Sequence, residues 1–93
     1  MTTKTDTLQV PTIHLNGSDS ADLVDKLRAA RLAIAEASQA LRMTAPHARD
    51  YYVQNDTQAF QKARQQYTDR TMRLASVADE LTRIAVGIQR QPR

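Results

Sequence analysis

Residues 57–89, TQAFQKARQQYTDRTMRLASVADELTRIAVGIQ, decide the fold. Within them Phe60, Ala63, Tyr67, Arg70, Leu74, Val77, Leu81, Ile84 and Ile88 recur at alternating spacings of three and four. Such spacing holds one stripe of a helix against a partner. A second stripe with the same rhythm lies upstream, at Leu23, Leu27, Ala30, Ile34, Ala37 and Leu41. The connection from Ala45 to Asp56 contains Pro46, which ends the first helix. The chain therefore reads as all-α, a long antiparallel two-helix hairpin.

Local signals set the boundaries. Asp19 suits the N-cap of the first helix, with Asp22 in the first turn where the helix dipole favours negative charge. That helix is expected to run to about Thr44, and the second, capped by Asn55 or Asp56, from about Thr57 to Gln89. At 1.5 Å per residue the second is roughly 50 Å long and the first roughly 37 Å. Antiparallel pairing of the two seams sets Leu41 against Ala63, Ile34 against Arg70, Leu27 against Val77 and Leu23 against Leu81. Ile84 and Ile88 then overhang the first helix. The segment Val10–Leu15, kept extended by Pro11 and closed by an Asn16-Gly17 turn, is the expected cover. Residues 1–9 are polar and aperiodic and read as a disordered tail, with residues 10–93 as one helical-hairpin domain.

Composition points to assembly. Of the apolar residues 14 are Ala, and only 21 are Leu, Ile, Val, Met or Phe. A lone hairpin of that content buries too little to offset chain entropy, and with no Cys there is no disulfide to staple it. A homo-oligomer, a dimer or larger forming a helical bundle, is the remaining route. The Ala-rich flank (Ala29, Ala33, Ala40, Ala75, Ala78, Ala85) offers a surface for packing between protomers. No apolar run is long enough for a membrane span and the N-terminus lacks the apolar stretch of a signal peptide. The absence of Cys fits a reducing compartment, so the expected location is cytoplasmic.

Net charge is +3, unevenly spread. Residues 26–49 carry Lys26, Arg28, Arg31, Arg42 and Arg49 against Glu36, and residues 57–73 carry Lys62, Arg64, Arg70 and Arg73 against Asp69. Two candidate sites follow. In the connection, His47, Arg49, Tyr51 and Tyr52 combine a guanidinium fork for phosphate or carboxylate with two flat rings for stacking. In the seam, Arg70 and Arg73 lie level with Arg31 in the expected pairing, a belt short of acidic partners. Each has a structural alternative. Tyr51 can close the bundle over Leu41 and Phe60 with Arg49 paired to Asp50 or Asp56, and Arg70 can reach out to Glu36. His14 and His47 stand at opposite ends of the first helix and cannot share a metal within a protomer. No Gly-rich phosphate loop, nucleophile elbow or paired-carboxylate arrangement is present, so neither catalysis nor a cofactor is expected.

The stretch Thr12-Ile13-His14-Leu15-Asn16-Gly17, followed later by Pro46-His47-Ala48-Arg49-Asp50-Tyr51-Tyr52, resembles a pattern in small helical-hairpin proteins of phages and prophages, a family without an assigned function. The resemblance implies a phage accessory protein acting in the host cytoplasm. Small helical hairpins of phages include sponges for nucleotide immune signals and inhibitors of defence complexes, an analogy of fold alone. The leading functional expectation is non-enzymatic: sequestration of a small anionic, nucleotide-like ligand by Arg49, Tyr51 and Tyr52, with His47, Arg31, Arg70 and Arg73 in support. The alternative is a protein–protein inhibitor of a host complex. Nucleic-acid binding is third, because +3 is a thin charge and the aromatic rings are confined to the connection.

Overall fold

A computed structural model describes residues 8–92, so residues 1–7 of the expected tail lie outside the described residues. Three helical elements appear in order: α1 (Ser20–Arg42), a 3-10 turn (Ala48–Asp50) and α2 (Ala59–Gln89). Among the described residues there is no strand, and no helix is long and apolar enough to cross a membrane. The architecture is the all-α hairpin.

Asp19 caps α1, its carboxylate accepting the Asp22 amide at 3.2 Å. Asp22 in turn pairs with Lys26 one turn on, at 2.9 Å, an exposed pair of little energetic weight. The helix stops at Arg42, two residues short of expectation. Thr44 ties off the end, its hydroxyl donating to the Leu41 carbonyl at 2.6 Å and its amide to the same oxygen at 2.9 Å. Pro46 disfavours helical geometry at the residue before it.

The start of α2 is displaced in the same way. Asp56 does the capping chemistry, but from outside the helix, as its carboxylate accepts the Gln58 amide at 2.8 Å and its carbonyl the Ala59 amide at 3.1 Å. The same carboxylate meets the Lys62 ammonium at 2.6 Å. The Lys62 hydrogen bond, helped by the Gln58 amide, holds the Asp56 carboxyl below the ordinary carboxylate range. A depressed folded-state pKa gives stability that is present above the unfolded value and lost as pH falls through the folded one. Acidification below about pH 4 should therefore loosen the first turn of α2, and Asp56→Asn should remove that pH response. Helicity at 222 nm followed from pH 6 to 2 in both proteins checks it.

The two seams meet, but not in the expected register. One interhelical cleft is lined by Val24, Arg28 and Arg31 from α1 with Thr82, Ala85 and Gln89 from α2. A groove nearer the connection is lined by Ala37, Ala40, Leu41 and Thr44 with Arg70, Arg73, Leu74 and Val77. Leu41 is thus level with Arg70 and Leu74 rather than Ala63, a slide of roughly two and a half helical turns. A seam built of similar small and aliphatic residues pairs almost as well at several offsets, so its pattern alone leaves such a slide open.

The seam is also turned by one residue in its middle. Thr71 and Ala78 are half-buried where Arg70 and Val77 were expected, and Arg70 is exposed. Val77 keeps 44% of its surface exposed. Arg70 therefore does not sit inside the seam, and it makes no ion pair with Glu36.

With that slide, Ile84 and Ile88 lie beside the start of α1, and the overhang moves to the first turns of α2. The extended segment still covers the C-terminal end of α2. The Gln91 amide clamps it, donating to the Pro11 carbonyl at 2.6 Å and accepting the Ile13 amide at 2.9 Å. Val10 lies over Gly87, where an added Cβ would stand 2.9 Å from a Val10 methyl. A glycine that weakens the helix interior here admits the covering segment. Leu15 takes no part, being 99% exposed in the turn closed by the Gly17 amide on the His14 carbonyl. Beneath this cover Ile88 is 2% exposed. At the opposite end Ala59 is the other buried residue among those described.

Candidate functional site

The connection folds into a compact cap on the overhanging start of α2. Its 3-10 turn is closed by the Asp50 amide on the His47 carbonyl (3.0 Å), while the Ala48 carbonyl accepts from Tyr51 (3.0 Å) and Tyr52 (3.1 Å). These bonds send the two adjacent tyrosines in different directions. Tyr51 turns inward to the Phe60 ring, with centroids 6.2 Å apart and planes tilted by 42°. The Arg64 guanidinium lies 5.7 Å from the centroid of the same ring. Tyr52 stays 79% exposed, with Val53 beside it and Met43, 87% exposed, at the end of α1.

Arg49 and His47 are exposed. Arg49 pairs with neither Asp50 nor Asp56, whose carboxylate is taken by Lys62. The first structural alternative is therefore half realised, with Tyr51 closing the end over Phe60 and Arg49 left unpaired among the described residues.

The seven candidate residues are not one constellation. His47, Arg49, Tyr51 and Tyr52 share the connection. Arg70 is ten residues beyond Phe60 on α2, about 15 Å further along the axis. Arg70 and Arg73 line the groove of about 560 Å³ with Ala37, Ala40, Leu41, Thr44, Leu74 and Val77. Arg31 lines the other cleft with Arg28. At 3.6 residues per turn, Ala37, Ala40, Arg70 and Arg73 face one side of the hairpin plane, and Arg28, Arg31, Ala85 and Gln89 the other. The belt expected across Arg31, Arg70 and Arg73 is split between two faces, because it required both Arg70 in the seam and the unslid register.

A third cleft, about 370 Å³, lies at the open end between Ile13, Ser20, Val24 and Ile88. None of these three clefts is lined by a residue of the connection. Among the described residues, no three His, Cys, Asp or Glu side chains gather as a metal site. Two features escaped the sequence. Val53 joins Tyr52 as an exposed apolar group in the connection, Met43 stands exposed at the end of α1, and lone apolar residues outside a seam carry no periodic signal. Gln91 clamps the N-terminal segment from nearly eighty residues away, a pairing without local signature.

Comparison with protein-family models, curated proteins and solved structures gives no match to the chain.

Proposed function

We propose that this chain is a non-enzymatic, homo-oligomeric binding protein that engages a protein partner through the closed end of the hairpin. The supporting observation is the exposure of Tyr52 and Val53 in the connection that also carries Arg49, unpaired among the described residues, at an end that projects beyond α1. Tyr and Arg are the residue types that dominate protein–protein hot spots, and exposed apolar groups beside them mark docking surfaces. A small ligand, by contrast, takes a concave site that buries most of its surface, and the clefts here lie along the helices. Occlusion of a partner complex is thus favoured over sequestration of a nucleotide-like anion. The phage setting is part of the proposal and stands on the TIHLNG and PHARDYY resemblance alone.

The test separates the two. Tyr52→Ala and Arg49→Ala should each weaken partner capture at least about tenfold while moving the thermal melt by less than about 1 kcal/mol, as exposed positions do. Mono-, di- and cyclic nucleotides should leave the melt unchanged. A nucleotide-dependent rise in Tm that Arg49→Ala abolishes would replace the protein partner with a small anion.

A further inference from the structure

The groove between Ala37–Thr44 and Arg70–Val77 is apolar along its floor and bare above it. The molecule measures 62 × 31 × 16 Å, so in its thinnest direction it is a single layer of helices. Stable domains bury such a face against a second layer.

The charges beside the groove identify the second layer. Arg70 and Arg73 carry no acidic partner among the described residues, and Glu80, half-buried on the same side of α2, carries no basic one. Within one chain Arg70 and Glu80 are about 15 Å apart along the helix and cannot meet. Turned end over end about Ala75, the same face presents acid to base and base to acid. It is complementary to itself, the requirement for a two-fold interface.

We propose that a second copy of this chain covers the groove. In this dimer α2 crosses its copy antiparallel about a two-fold axis level with Ala75, and Arg70 of each protomer meets the partner's Glu80. The inference rests on the homo-oligomeric part of the proposed function and assigns its face. Val77 and Leu74 lie next to the axis, where the partner's Arg73 stem covers them. On α1, Ala37 lies level with the axis and Ala33 and Ala40 flank it, small residues that let the layers close. The N-terminal segment over Gly87 confines the contact to the part of the layer nearer the connection.

Sedimentation of the full chain at micromolar concentration, with far-UV circular dichroism of the same samples, tests this. The wild type should be a dimer. Arg70→Glu and Glu80→Arg should each raise the dimer dissociation constant tenfold or more, because each sets like charges together at both symmetry-related pairs. Combining the two should restore wild-type mass, and any helicity lost in the single variants. Arg28→Glu, in the cleft on the other face, should remain dimeric. A monomeric, helical wild type overturns this inference and the oligomeric reading together. A dimeric wild type with a dimeric Arg70→Glu variant, or a double variant that does not recover, overturns only the assigned face. Dissociation by Arg28→Glu alone moves the interface to the opposite cleft and equally overturns it.

Discussion

Ile88→Ala is expected to cost about 3 kcal/mol, the middle of the range for deleting a large aliphatic side chain from a packed site. The loss is large because Ile88 has so few companions, being one of two buried residues among those described. Its cover comes from three directions: the start of α1 through Ser20 and Val24, the body of α2, and Ile13 of the extended segment. Removing three carbons leaves a void that the Gln91 clamp prevents from collapsing freely. For a chain of this length a typical total stability is on the order of 5–14 kcal/mol, so one substitution takes a considerable share. Urea denaturation followed by circular dichroism measures it, with Leu32→Ala as the control. Leu32 is exposed on the outer side of α1 and its truncation should stay within about 0.5 kcal/mol. Equal losses at the two positions would show that Ile88 is not a packed site.

The second large effect is expected at the closed end. Phe60 carries both the Tyr51 ring and the Arg64 guanidinium, so Phe60→Ala removes an aromatic contact and a cation–π contact together. A loss of about 2–3 kcal/mol is expected, below the full Phe→Ala range because Phe60 is half-buried. Tyr51→Ala should cost less and should couple to it by about 1 kcal/mol in a double-mutant cycle, the usual energy of an edge-on or tilted ring pair. Tyr52→Ala, one residue away, should leave stability unchanged. Strict additivity of Phe60→Ala and Tyr51→Ala would mean that the rings do not support each other. Destabilisation by Tyr52→Ala would assign that ring to the fold instead of to a partner.

The contrast between the adjacent tyrosines shows how far the candidate site was legible. Their presence, with Arg49 and His47, in a Pro-containing connection marked the closed end as chemically dense. Which ring would be spent on the fold was not legible, because it depends on the 3-10 turn at Ala48–Asp50 and on the distance to Phe60. The arginine belt failed for a related reason. Arg70 stood at a seam position by spacing, yet Thr71 takes that place and leaves the guanidinium in water. The groove-side location of Arg70 and Arg73 emerges only once the two helices are set against each other.

By itself the sequence determined the elements: two helices, the Asp19 cap, the Pro46 break, the Asn16-Gly17 turn and the extended N-terminal segment. Each follows from interactions within a few residues, where side-chain chemistry and backbone geometry suffice. Only the tertiary structure decided the slide of roughly two and a half turns, the rotation that exposes Arg70 and Val77, and the clamp from Gln91 to Pro11 and Ile13. A stripe of similar apolar residues pairs almost as well at several offsets. The choice among registers falls to contacts outside the two stripes, the cap of Tyr51 on Phe60 at one end and, across nearly eighty residues, the segment over Gly87 at the other.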